Sequence, residues 1–137
     1  MKHVFFMSRH HAMRSQFDPE TDCLISISDT EKEKSEALKT HRYLQDSMIT
    51  LVFSDIPYND VSSIQSHHVR DIVEFIENNR QKKNFYVHCL FGVSRSAAVA
   101  KYIQDYFFID DASLDENDMY NPYVYDLLTN FNIISNS

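Results

Sequence analysis

Four short apolar runs lie along the chain, separated by longer polar or amphipathic segments. Each run is rich in β-branched or aromatic side chains, a composition typical of strands. The runs are continuous rather than strictly alternating, so both faces of the strands are expected to be covered, as in a parallel sheet. The four predicted strands are residues 4–6, 23–28, 48–53 and 85–87.

Helical patterns occupy most of the segments between these runs. Residues 61–80 carry apolar side chains at helical spacing, and a further helix is predicted from Arg95 onward. Residues 8–22 are polar and predict a loop with room for one helical turn. Three more helix starts are predicted from capping signals: Thr30 with Glu33 (a helix to about residue 44), Ser113 with Glu116, and Asn121 with Pro122.

Strands followed by helices predict an α/β fold. We expect a single three-layer domain over residues 1–137, with a mostly parallel central sheet of four to five strands and helices on both faces. Ligands of such sheets bind beyond the carboxyl ends of the strands. Asp55 and Cys89 each follow a predicted strand, so both are expected at that edge of the sheet.

Composition narrows the class of protein. The 137 residues are 43% hydrophobic, which indicates a folded domain, and no run of about 18 apolar residues predicts a membrane span. A net charge of −7 argues against nucleic-acid or anionic-membrane partners. Two distant cysteines without CxxC spacing favour a reducing compartment, so a cytoplasmic location is expected. Any phosphate site in this acidic chain has to be made locally.

The segment from Cys89 to Arg95 has the features of such a local site. It joins a predicted strand to a predicted helix, so its amides can form a nest for an anion beside the positive helix N-terminus. Arg95 adds a planar fork that matches two phosphoryl oxygens. Gly92, the one glycine in the chain, supplies the backbone freedom that such a curl needs.

The same positive field makes Cys89 a candidate nucleophile. Helix N-termini and neighbouring cations favour the thiolate, the reactive form of cysteine. Ser96 is placed to donate a hydrogen bond to the sulfur and ease its departure in a second step. His88 precedes the cysteine and is expected to support the loop through a hydrogen bond to backbone rather than to donate a proton.

These residues carry a resemblance to a known family. His88-Cys89-x-x-Gly92-x-x-Arg95-Ser96 matches, at every fixed position, the signature of the cysteine-dependent protein tyrosine phosphatase superfamily. Size and layout look most like its compact dual-specificity branch, which includes bacterial and phage members. Outside the signature the resemblance is one of order and spacing, and it covers about residues 45–110.

The resemblance implies a cysteinyl-phosphate intermediate and an aspartic acid that protonates the leaving oxygen. Asp55, at the end of a strand and 34 residues before Cys89, best fits this acid. Asp60 on the same loop is the second choice and Asp29 the third. Neither a cofactor nor a metal is implied, and the expected partner is a phosphorylated protein or peptide.

The variable loop residues bear on the substrate. None of them is charged, which argues against a lipid headgroup and favours the aromatic ring of phosphotyrosine; phosphoserine and phosphothreonine stay open. They are Leu90, Phe91, Val93 and Ser94. Residues 54–60, which contain Asp55 and Asp60, are called the acid loop below. Tyr58 on this loop is a candidate for packing on the substrate ring. The basic segment at residues 9–14 is either a recognition surface for an acidic phosphopeptide or an ordinary loop.

The same residues leave other interpretations open. The main alternative is a phosphate-binding docking module that no longer turns over. A metal site is not expected, because the adjacent pairs His10–His11 and His67–His68 should point apart on a helix. Cys23 is expected to pack in the core, with a role as resolving thiol for Cys89 as the other choice.

Overall fold

The four predicted strands all form, and they align as one parallel sheet. The computed structural model describes residues 1–135, with side chains described up to residue 131. Within this part of the chain the strands lie in the order β1-β4-β2-β3, each parallel to its neighbours. Their bounds are β1 His3–Ser8, β2 Asp22–Ser28, β3 Met48–Val52 and β4 Asn84–Cys89. The expectation of an α/β fold is confirmed.

Helices connect the strands, with three differences from the predicted boundaries. They are α1 Arg9–Met13, α2 Glu31–Thr40, α3 Ser66–Asn78, α4 Arg95–Phe107, α5 Ala112–Asp115 and α6 Pro122–Ser135, with a 3₁₀ segment at Arg42–Ser47. The helix predicted to reach residue 44 ends at Thr40 and gives way to that 3₁₀ segment.

Two helix starts were predicted at the wrong residue. The helix expected from residue 61 begins five residues later, because Asp60 accepts hydrogen bonds from the backbone and hydroxyl of Ser62 and holds a turn there. The short helix α5 is capped by Asp111, which accepts from the amide and hydroxyl of Ser113, rather than by Ser113 itself.

Helices cover both faces of the sheet and give three layers. Because strand side chains alternate between faces, Ile25 packs with α4 and α6, whereas Leu24 packs beside the 3₁₀ segment. The helices α1 and α2 lie on the Leu24 side, and α3 to α6 lie on the other. No helix among the described residues has both the length and the apolar character needed to cross a membrane.

The parallel arrangement brings one end of every strand to the same edge. Ser8 at the end of β1 lies opposite Cys89 at the end of β4. Ser28 at the end of β2 lies opposite Val52 at the end of β3. The loop after β2 begins with Asp29, and the loop after β3 contains Asp55. The segments that carry the predicted site residues therefore leave the sheet side by side.

Candidate active site

The turn after β4 is shaped by its glycine. Gly92 has a φ of +75°, in the region that side-chain-bearing residues avoid. A Cβ on this residue would lie 2.3 Å from Ser8 N and 2.4 Å from Met7 C. Both contacts are to β1 backbone, which cannot give way easily. Gly92 is thus required by conformation and by close approach, and it anchors the loop to the end of β1.

Cys89 is buried at the floor of this loop and forms two hydrogen bonds with Ser96 of α4. As a thiol, its Sγ donates to Ser96 Oγ over 3.1 Å, and the Ser96 amide donates to Sγ over 3.4 Å. With the cysteine as a thiolate, hydroxyl and amide both stabilise its charge, together with the positive end of the helix. The structure brings together the cysteine and serine that the sequence singles out.

Arg95 is buried, and one edge of its guanidinium is fixed. Its Nη1 donates to Asp29 Oδ1 and to the carbonyl of Phe53, each over 2.7 Å. Its Nε is buried and has no hydrogen-bond partner within the part of the chain whose side chains are described. A buried unpaired donor is costly, so the arrangement favours an acceptor that arrives with a ligand.

The loop backbone offers further unused donors. No amide from Phe91 to Arg95 donates a hydrogen bond to any described residue. A curl of unpaired amides at a helix N-terminus is the arrangement that binds phosphate and sulfate in many proteins. The loop therefore combines the buried Cys89 sulfur with several donors suited to an oxyanion.

Asp55 lies against the far end of this loop. Its Oδ1 accepts hydrogen bonds from Ser94 Oγ and from Asn121 Nδ2, both over 2.8 Å. The residue is exposed, so its carboxyl group is accessible from solvent. Of the aspartates on the acid loop, this one is placed beside the signature.

Asp60, the second choice for the acid, is engaged elsewhere. Its carboxylate binds the amide and hydroxyl of Ser62 over 3.1 and 2.9 Å. These bonds hold the pKa of Asp60 below its ordinary value, because they stabilise the charged form. A carboxylate kept ionised within its own turn is a poor proton donor.

Asp29, the third choice, lies on Arg95 rather than at the position of an acid. Its Oδ1 binds the arginine Nη1, and its amide donates to Glu33 Oε1 over 3.0 Å. The Asp29 carboxylate therefore orients the guanidinium through Nη1 and leaves Nε without a partner among the described residues. That role follows from the path of the chain after β2, which residue spacing does not reveal.

Asn121 is a site residue whose second role sequence reasoning missed. As predicted, it caps α6, because its Oδ1 accepts from the amides of Tyr123 and Val124. Its Nδ2 binds Asp55, and its amide donates to Ser94 O over 3.1 Å. The residue type was the one signal for this second role: an asparagine can cap a helix with its side-chain oxygen while its side-chain NH₂ group donates to another residue.

His88 is buried beside the backbone of Cys89. Neither ring nitrogen makes a hydrogen bond of ordinary geometry with the described residues, but the Cys89 backbone is close enough to favour the charged ring. Burial outweighs this contact and lowers the pKa of His88 to about 4, so the folded protein holds the ring neutral at physiological pH.

Comparison with known proteins adds no family assignment. No protein-family model and no curated protein matches this chain. The resemblance to cysteine-dependent phosphatases accordingly rests on the nine-residue signature and on the geometry described above.

Cys23 is too far from Cys89 to form a disulfide with it. It lies opposite Phe85, four positions before Cys89 on the neighbouring strand, which is about 13 Å along the sheet. A disulfide requires Cα atoms within about 7 Å. Burial raises the pKa of Cys23 to about 12, so it is an unreactive core thiol.

No group of three potential ligands in the described residues is close enough to hold a metal ion. The expectation that adjacent histidines point apart is wrong for His67 and His68, whose ring centroids are 4.0 Å from each other. The cause lies at the start of α3, where His68 Nδ1 accepts a hydrogen bond from the amide of Gln65, the N-cap residue. This bond turns the His68 ring toward the N-terminus of the helix.

Proposed function

We propose that this protein is a phosphatase that hydrolyses phosphotyrosine through a phosphoenzyme on Cys89, in the manner of the compact dual-specificity branch. One observation carries the proposal. The sulfur of Cys89 is buried beneath a loop whose amides, and whose Arg95 Nε, have no acceptor among the described residues. These donors complement the non-bridging oxygens of a phosphate held against the nucleophile.

In the first step the Cys89 thiolate attacks phosphorus and the bond from phosphorus to the tyrosine oxygen breaks. Arg95 and the loop amides bind the three equatorial oxygens, where charge is spread in the transition state. Asp55 gives its proton to the departing oxygen. Since both of its hydrogen-bond donors act on Oδ1, we assign the transferred proton to Oδ2.

In the second step water attacks the phosphocysteine. Asp55, now a carboxylate, takes the proton of that water, and the sulfur leaves as a thiolate with phosphate as the product. Ser96 donates to the departing sulfur through its hydroxyl and its amide. Each group thereby returns to the state from which it started.

The rim of the loop favours an aromatic ester. Phe91 is 77% exposed and Tyr58, on the acid loop, is 62% exposed. Leu90 and Val93 are also exposed, so four apolar side chains lie on the two loops that meet at the site. Aromatic rings stack on such side chains, whereas an aliphatic phosphoserine has no flat face to offer.

The test is turnover of an aryl phosphate in the presence of EDTA. We expect the wild type to be active, Cys89→Ser to be inactive, and Asp55→Asn to lose about a hundredfold or more with poor leaving groups. Asp60→Asn is the matched control and should keep its activity. A phosphoryl group on the peptide that contains Cys89, found by mass spectrometry after acid quench of Asp55→Asn, would identify the intermediate.

Two results would contradict the proposal. Full activity of Cys89→Ser would exclude covalent catalysis by this residue. An inactive wild type that nevertheless binds a phosphotyrosyl peptide would favour the docking module.

A further inference from the structure

The basic segment after β1 forms an open groove beside the signature loop. The groove has a volume of about 360 Å³ and is lined by Ser8, His10, His11, Arg14 and Ser15. All three of its ionisable side chains are basic. In a chain of net charge −7, such a groove is a local exception.

The groove lies next to the nucleophile. Ser8, which lines it, is opposite Cys89 in the register of the sheet, and the Arg9 amide donates to Leu90 O over 3.2 Å. Neighbouring strands are about 4.8 Å apart, and Arg14 lies six positions beyond Ser8, or about 9 Å at helical rise. The backbone of the groove therefore begins roughly 5 Å from Cys89 at Ser8 and reaches roughly 10 Å from it at Arg14.

The charges of the groove are available to a ligand. Arg9 is not part of it, because its side chain is mostly buried and binds Glu36 over 3.0 Å, with Glu33 at 3.9 Å. By contrast, His10 and Arg14 are exposed and form no ion pair with any described residue. The guanidinium of an arginine carries five N–H donors, and a histidine ring donates a hydrogen bond whether or not it is protonated.

We propose that this groove binds a second anionic group of the substrate, a carboxylate or a phosphate on the same phosphopeptide. The proposal rests on the proposed function, because the first anchor is the phosphotyrosine in the signature loop. An extended peptide advances about 3.3 Å per residue, so the second anion lies two or three residues from the phosphotyrosine. A peptide fits better than an anionic membrane, which the overall negative charge would repel.

The experiment compares peptides rather than simple esters. One phosphotyrosyl peptide has neutral flanks; others carry either a glutamate or a non-hydrolysable phosphonate two or three residues to either side. The proteins are the wild type, the triple variant His10→Gln/His11→Gln/Arg14→Gln, and the control Arg80→Gln, an exposed arginine just beyond α3 at the opposite edge of the sheet. An aryl phosphate is included to report the chemistry alone.

We expect the wild type to prefer an anionic peptide over the neutral one by about tenfold in kcat/KM. Each exposed ion pair changes an affinity by less than roughly fivefold, so two or three are needed. The triple variant should lose this preference but keep its aryl phosphate activity, and the control should keep both. Glutamate and phosphonate peptides show which anion the groove prefers.

Three outcomes would overturn the inference. One is a wild type without preference for anionic peptides, and another is a triple variant that retains it. The third is binding to phosphatidylserine vesicles that the triple variant loses while peptide selectivity stays unchanged, which would assign the groove to a membrane surface. A wild type inactive on aryl phosphate is a different result, because it contradicts the proposed function itself.

Discussion

Replacement of Asn121 by aspartate separates its two roles. The new carboxylate can still accept from the amides of Tyr123 and Val124, so the cap of α6 is kept. It cannot donate to Asp55 Oδ1, which the native amide contacts over 2.8 Å. Asn121→Asp therefore replaces an attraction with a repulsion at the proposed acid while it leaves the helix start intact.

The magnitude follows from that distance. In the protonated form that gives its proton to the leaving oxygen, Asp55 loses the hydrogen bond from Asn121, which for a neutral acceptor costs about 1 kcal/mol, or roughly a fivefold loss of the docked acid position. In the carboxylate form, which takes the proton of water in the second step, two unit charges about 2.8 Å apart add a repulsion of about 1.5 kcal/mol even at the dielectric constant of water.

The assay is kcat/KM on aryl phosphates with good and poor leaving groups. We expect Asn121→Asp to lose most with poor leaving groups, which depend on protonation. Urea unfolding should show little change, because the cap survives and the acid loop is free to move away. Asn121→Ser keeps an acceptor for the cap without adding charge, so its loss should be smaller.

A double-mutant cycle decides whether the effect passes through Asp55. In the Asp55→Asn background, Asn121→Asp should have almost no further effect on poor leaving groups. An equal loss in both backgrounds, or a loss that does not depend on the leaving group, would refute the reasoning.

Two further predictions concern the loop and its support. Gly92→Ala should destabilise the protein by about 3 kcal/mol in urea unfolding, because it adds left-handed strain and a Cβ 2.3 Å from Ser8 N. The control Val93→Ala, at an exposed neighbour, should change the free energy of unfolding by less than about 0.5 kcal/mol. Equal effects of the two substitutions would show that the close approach to β1 is unimportant. Since the pKa of His88 falls to about 4 on folding, the ring is protonated in the unfolded state but neutral in the folded state between about pH 6.5 and pH 4. The free energy of unfolding should therefore decrease as pH falls through that window, by about 3 kcal/mol more in the wild type than in His88→Gln. Identical pH profiles of the two proteins would contradict the assignment of a buried neutral ring.

The strands were predictable because burial on both faces leaves an unmistakable run of apolar residues. Their order was not, since β4 lies between β1 and β2 although it comes last in the sequence. Pairing over such separations depends on which faces fit the helices, and local patterns carry no record of that. Helix boundaries failed where side chains of loop residues formed turns, as Asp60 does with Ser62.

The geometry of the loop was predictable, but the contacts around it were not. Cys89, Gly92 and Ser96 are close in sequence, so the strand–turn–helix order alone determines how they meet. The partners of Asp55 come from distant elements, and α6 has to pack on the domain before Asn121 can reach it. Several aspartates follow strands at the same edge, and only the paths of the loops decide which one meets the arginine and which one meets the helix cap.

The proposed phosphate site depends on groups that the fold holds in place. Asp29 and the Phe53 carbonyl both accept from Nη1 of Arg95, so the guanidinium is held before any ligand arrives. Gly92 fixes the curl of the loop against β1. Donors held in place by the fold need little reorganisation when charge develops, and such preorganisation is a large part of electrostatic catalysis. Two carboxylates contribute to the proposed site: Asp29 orients the Arg95 guanidinium, and Asp55, held by Ser94 and Asn121, is the proposed proton donor.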